Sequence, residues 1–215
     1  MPKAAIDPWL EKVYQADSDA EVSAHYDAWA REYERDLMAA GYRYPPVGAA
    51  LIVRHTSPDA VILDGGCGTG LMGEALAAVG YRRLIGLDLS DGMLAVAAEK
   101  GCYERLIKGA LGETIDGVEA ESLDACVSFG TLTPGHAPPE SLNGMLKAVK
   151  PGGVLIFSVS RPAWEEGGFG ALAEDLEAAG RWRCVDRSAV IHAMPYSETE
   201  GDLTAQIHVY RKAGG

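Results

Sequence analysis

The sequence predicts an α/β fold: a doubly wound, Rossmann-like sheet of seven strands, mostly parallel with the last strand antiparallel, beneath an N-terminal helical lid. Three observations predict it. Short apolar runs alternate with helix-patterned segments between residues 61 and 159, as in a parallel sheet covered by helices. A glycine-rich turn separates the first of these runs from the helix pattern that follows. Beyond Gly180 two strand-like runs succeed one another with no helical pattern between them, which marks an antiparallel pair.

The elements follow in order. Asp7-Pro8 opens a first helix, and Ser18 with Glu21 forms a capping box for a second. Val22, Tyr26, Trp29, Tyr33 and Leu37 recur at helical spacing, so one helix with an aromatic stripe is expected to run on to Gly41. Pro45-Pro46 opens another helix, through Arg54. Strand runs then lie at Val61–Leu63, Leu84–Leu87, Arg105–Ile107, Leu123–Phe129 and Val154–Val159. Between them helices are expected from Leu71 to Val79, from Ser90 as N-cap to Lys100, and on the face Leu142, Met145, Leu146, Val149. A helix around Leu172–Ala179 precedes the last two strands, Trp182–Ser188 and Thr204–Arg211. The expected organisation is one domain over 1–215, with 1–56 as the lid and 57–215 as the α/β core; 215 residues suit a single core.

Nineteen basic against 31 acidic residues give a net charge of -12, which opposes a polyanionic partner, so neither nucleic acid nor an anionic membrane surface is expected. Four scattered cysteines, with no paired metal-ligand spacing, fit a reduced chain without structural metal. No basic-then-apolar leader stands at the N-terminus, and the expected location is cytoplasmic.

The strongest chemical signal is Asp64-Gly65-Gly66-Cys67-Gly68-Thr69-Gly70, between the first strand and its helix. Glycines there let a ligand lie directly against backbone amides. Gly68, Gly70 and Gly73 also satisfy the dinucleotide pattern, with Asp88 at a suitable distance for a ribose. Two features argue against a nicotinamide enzyme. Asp64 would set negative charge beside a pyrophosphate, whereas an amino-acid ligand brings an ammonium group. The terminal antiparallel pair is also foreign to the dinucleotide pattern.

On these residues the sequence resembles the class I S-adenosylmethionine-dependent methyltransferases: a strand ending in Asp64, the glycines to Gly70, the acid Asp88 after Gly86-Leu87, and the turn Lys150-Pro151-Gly152-Gly153. More narrowly, Tyr26-Asp27-x-Trp29-Ala30 with Tyr33-Glu34, and Gly130-Thr131-Leu132-Thr133-Pro134-Gly135-His136-Ala137, are similar to the methyltransferase-like proteins named after the Williams-Beuren syndrome region. The resemblance implies S-adenosylmethionine as cofactor, released as S-adenosylhomocysteine. It implies a binding set of Tyr26 and Tyr33 from the lid; Asp64, Gly65, Gly66, Cys67 and Gly70 from the turn; Asp88, Leu89 and Met93; Ala110 and Leu111; and Ser128 and Phe129. Asp88 would accept hydrogen bonds from the ribose hydroxyls and Leu89 would pack on adenine. Ala110 stands where many relatives carry an acid for the adenine amino group, and Glu113 is the nearest substitute.

For the acceptor side, the residues singled out are Trp29, Thr133, His136 and Tyr196, with His136 as the candidate base for an attacking oxygen or nitrogen. The aromatic stripe of Tyr26, Trp29 and Tyr33 is either core packing or a lid whose rings face the sulfonium. Ser128-Phe129-Gly130-Thr131 stands where methyltransferases of exocyclic base amines carry Asn/Asp-Pro-Pro-aromatic, so a small-molecule acceptor is expected first and a protein side chain second. The alternative is a non-catalytic cofactor-binding sensor or scaffold.

Overall fold

The computed structural model describes residues 6–133 and 136–214; residues 1–5, Pro134, Gly135 and Gly215 lie outside the described residues. Four helices precede the first strand: α1 (Asp7–Tyr14), α2 (Asp19–Trp29), α3 (Tyr33–Ala40) and α4 (Tyr44–His55). Ser18 caps α2 by accepting from the Glu21 amide at 3.3 Å, while the Glu21 carboxylate takes the Asp17 amide at 2.9 Å. Gly41, left-handed at φ +77°, stops α3.

The single helix expected from Ser18 to Gly41 is broken. A turn closed by the Glu32 amide on the Trp29 carbonyl separates α2 from α3. Its cause is tertiary: the buried Trp29 indole donates to Asp36 at 3.0 Å and packs edge-on against Tyr33, with ring centroids 4.7 Å apart. An unbroken helix would keep the stripe but not this loop-back of residue 36 onto residue 29.

The sheet follows as β1 (Ile62–Gly65), α5 (Leu71–Ala78), β2 (Leu84–Asp88), α6 (Asp91–Lys100), β3 (Arg105–Lys108) and β4 (Leu123–Ser128). Then come α7 (Ser141–Ala148), β5 (Val149–Ser160), α8 (Arg161–Glu165), α9 (Phe169–Ala178), β6 (Trp182–Arg187), β7 (Ile191–His192) and β8 (Thr204–Lys212). Strand order is β3-β2-β1-β4-β5-β8-β6, with β7 paired to β8. The pairs among β1 to β5 are parallel, and β8 runs antiparallel between β5 and β6. The expected seven-strand path is present, and the two-residue β7 makes an eighth strand. Val149, expected on a helix face, instead pairs with Leu123 and starts β5.

Alternate residues of each strand feed opposite faces, as the pleat requires. Leu63, Cys126, Leu155 and Phe157 face α7 and α9, while Ile62, Val127, Val154 and Ile156 face α4 and α5. The helices before β1 therefore divide: α4 belongs to the sheet's packing, whereas α1 to α3 close their own small cluster around Trp29, Leu37 and Ile6. No described helix is long and apolar enough to cross a membrane.

Candidate functional site

At the carboxyl edge of the sheet the connections after β1 and β4 leave in opposite directions, the position where open α/β sheets take ligands. The turn after β1 occupies it. Gly66 has φ +74°, and a Cβ there would overlap the Thr131 side chain, so position 66 needs glycine twice over. The Gly66 and Cys67 amides donate to the Leu87 carbonyl at 2.8 and 2.9 Å, which ties the turn to the end of β2.

Asp88 closes that junction. Its carboxylate accepts from the Gly68 amide at 2.8 Å and from the Ser90 amide at 3.0 Å. Burial raises its pKa, and these amides pull the other way. A carboxylate offers about four lone-pair sites, so the amides of Gly68, Ser90 and Leu89 still leave room for a further donor such as a sugar hydroxyl. The residues present therefore fit a ribose, and hence the cofactor that the family resemblance implies.

Asp64 is buried and accepts the Tyr103 hydroxyl at 2.6 Å; burial pushes its carboxyl up to about 7 despite that bond. Tyr103 reaches it by lying over Gly73, where a side chain would collide with the phenol. The third glycine of the dinucleotide-like pattern thus serves a Tyr103–Asp64 pair.

Helix α2 is pinned beside Asp88. Asp27 on α2 accepts from the Ser90 hydroxyl at 2.5 Å and the Gly92 amide at 2.7 Å, and the Ser23 hydroxyl donates to the Leu89 carbonyl. Tyr26, one residue before Asp27, consequently hangs over the cleft with Tyr33. The cleft is closed to about 80 Å³, well below the roughly 300 Å³ at which small-molecule pockets begin. A cofactor-sized ligand needs more room than α2 and the sheet leave between them.

Behind the cleft lies a second chamber of about 270 Å³, roofed by α1 through Leu10 and Tyr14 and by the β7–β8 connection through Met194, Glu200 and Leu203. Tyr26, Tyr33, Gly130 and His136 line both spaces. His136 has Nδ1 on the Thr133 hydroxyl at 2.8 Å and Nε2 on the Tyr26 hydroxyl at 3.1 Å. Burial lowers its pKa, which favours the neutral imidazole.

Of the sequence-read residues, the cleft brings together Tyr26, Tyr33 and Gly66 on one side and Asp88, Leu89 and Met93 on another, with Ala110, Leu111 and Phe129 completing the wall. Trp29 and Thr133 line the chamber. Asp64 and Cys67 face a small recess shared with Tyr42 and Tyr44. Gly65 packs against Leu111, Gly70 is the left-handed N-cap of α5, and neither lines cleft or chamber. The Ser128 hydroxyl is buried, with no hydrogen-bond partner among the described residues, and lines neither space. Tyr196 also lies outside both: its ring rests against Gly41 and is 55% exposed, so the strand connection turns it away from the chamber. Glu113, the substitute for an acid at Ala110, is exposed and pairs with Lys147 at 3.4 Å. Pro134 and Gly135, within the motif ending in His136, lie outside the described residues.

Sequence reasoning missed Thr131 and Gly68 in the cleft and Tyr14 and Glu200 in the chamber. Gly68 stood inside the glycine turn and could have been found; Glu200 lies in a polar connection with no pattern of its own.

The methyltransferase domain family matches residues 63–157. Human methyltransferase-like protein 27 is 33% identical over 164 residues, covering 73% of this chain and 66% of that protein. The bovine 18S rRNA (guanine-N(7))-methyltransferase is 31% identical over 105 residues, covering 48% of this chain and 37% of its own length. The chain thus spans between a third and two thirds of these relatives. Among solved structures, the cyclase SpnF superposes with a TM-score of 0.67 at 18% identity, over 93% of this chain and 98% of the other, a likeness of fold alone. With the strand order, the glycine turn and the acid at the end of β2 in place, these similarities settle the family: the chain belongs to the class I S-adenosylmethionine-dependent methyltransferases.

Proposed function

We propose that this chain transfers the methyl group of S-adenosylmethionine to a small-molecule acceptor held in the aromatic chamber. The observation that carries the reading is the shared wall: Tyr26, Tyr33, Gly130 and His136 border both the cleft at the glycine turn and the chamber behind it. Asp88 would hold the ribose, Leu89 and Met93 the adenine, and Asp64 the ammonium end, with α1 to α3 as the lid. When bound, the cofactor would supply an activated methyl carbon to a lone pair of the acceptor and keep the sulfur as the leaving thioether. His136 is suited to take the proton the acceptor sheds, because burial favours its neutral form and its Nε2 lies at the boundary of the two spaces. Positioning is the chain's main contribution, since the donor is already activated.

The sequence expectation of no nucleic-acid partner is not supported by the relatives, one of which is named for 18S rRNA. An RNA base is therefore the second reading. The net charge of -12 and a chamber whose described lining contains no Lys or Arg favour the small molecule. A cofactor-binding protein that does not methylate has Ala110 in its favour. The deciding experiment incubates the protein with methyl-labelled cofactor and, separately, a low-molecular-weight extract and total RNA. Label in the small-molecule fraction is expected. Label in RNA alone, or none in either fraction with cofactor bound, would overturn the reading.

A further inference from the structure

We propose that the chamber is a binding site for a small organic cation, an amine protonated at the end remote from its accepting atom, with Glu200 as its counter-charge. The inference rests on the small-molecule reading above and names the substrate class.

The walls are chiefly aromatic and aliphatic: Tyr14, Trp29, Tyr42 and Tyr44 face Leu10 and Met194. Among the described lining residues Glu200 is the one carboxylate. Among the described lining residues, an acceptor's carboxylate or phosphate would find no Lys or Arg. A cation would find both aromatic faces and a negative charge. The volume of about 270 Å³ is many times the roughly 10–15 Å³ that a single water needs, room for a small organic molecule.

Glu200 is also under-used where it stands. Its backbone amide donates to Ser197 Oγ at 2.9 Å, which fixes the turn, and its side chain has the neutral Tyr14 hydroxyl as donor. One phenol leaves most of a carboxylate's acceptor sites open. Burial and the nearby Asp7 both raise its pKa, so its ionised form is under-compensated. Asp7 cannot serve the chamber in its place, because it already accepts from the Ser197 hydroxyl, the Thr199 hydroxyl and the amides of Glu198 and Thr199.

The competing account is structural: Glu200 merely ties α1 to the β7–β8 connection through Tyr14. Two substitutions separate the accounts. Tyr14→Phe breaks the tie and keeps the carboxylate; Glu200→Gln keeps a side-chain oxygen for the tie and removes the charge.

The test is calorimetric titration of the protein, with and without S-adenosylhomocysteine, by 2-phenylethylamine, 2-phenylethanol and 3-phenylpropanoate. The amine is expected to bind roughly ten- to a hundredfold more tightly than the alcohol, the span of one hydrogen bond to a charged group. The acid is expected to bind most weakly. Glu200→Gln should abolish the preference for amine while leaving alcohol and S-adenosylhomocysteine affinities in place, and Tyr14→Phe should retain the preference. Equal affinities for amine and alcohol, no amine binding, or equal loss of preference in both variants would overturn the proposal. Failure of S-adenosylhomocysteine to bind would instead strike the methyl-transfer reading, with the amine preference still measurable without it.

Discussion

The hydroxyl of Tyr26 meets Nε2 of His136 at 3.1 Å, so α2 and the loop after β4 touch where the cleft and the chamber share a wall. That contact makes His136 answer to lid position. Burial holds its pKa below the ordinary imidazole value of 6.5. A base of this kind works above its own pKa, so methyl transfer is expected to stay level from pH 8 through 7 and fall only at more acid values. His136→Gln should lower the rate, lose the acid limb of the pH–rate profile and leave cofactor affinity nearly intact. Full activity with an unchanged limb would remove His136 as the base. The same shift has a stability consequence: the folded state binds fewer protons here than the unfolded chain, so this contribution is present above 6.5 and is lost as pH falls.

Asp88→Ala is expected to weaken S-adenosylhomocysteine binding by about 1.5–3 kcal/mol, the cost of a lost hydrogen bond to a charged group. Calorimetry reads this directly. Because the Gly68 and Ser90 amides also lose their acceptor, Asp88→Asn serves as the gentler comparison, and wild-type affinity in both would exclude position 88 from the cofactor site.

Asp64 gives the opposite pH sign to His136. Its folded value of about 7 lies above the ordinary 3.8, so the folded protein holds a proton that the unfolded chain has released. Stability of the ligand-free protein is therefore expected to fall as pH rises from about 4 through 7. Asp64→Asn should flatten that slope in thermal melts and raise the midpoint at pH 8. An ammonium-bearing ligand should favour the ionised form and release a proton on binding, visible as a buffer-dependent heat.

Asp27→Ala removes the acceptor for Ser90 and Gly92 and so unpins α2 from the start of α6. With the cleft narrowed to about 80 Å³ beneath α2, motion of this helix is expected to govern entry and exit. Stopped-flow measurement should find cofactor release accelerated roughly tenfold or more, and hydrogen exchange should quicken over 19–29. Unchanged release would mean that the lid is held elsewhere.

The parts of this molecule that could be read in advance are those whose physics is local. Gly66 and Gly70 announce left-handed backbone, Ser90 and Ser18 announce helix starts, and the alternation of Ile62 with Leu63 announces a strand buried on both faces. The helix break after Trp29 has no Gly or Pro at 30–32 to signal it, because its cause is the reach of the indole to Asp36. The direction of Tyr196 escapes the sequence for a related reason: it is set by the fit of its ring onto Gly41, which no spacing encodes. Glu200 and Tyr14 come from opposite ends of the chain, and only the closed fold brings them together.

Asp7 binds Ser197 across 190 residues of sequence. Joining ends so far apart carries a large loop-closure cost that nearer contacts do not bear, so the chamber's roof is expected to assemble after the sheet in refolding. It is also expected to open first in native exchange, since only a small apolar cluster and a handful of hydrogen bonds hold it and no strand pairing is lost when α1 parts from the connection. Acceptor access would then follow the parting of α1 from the β7–β8 connection, an opening where the two ends of the chain meet rather than at the glycine turn.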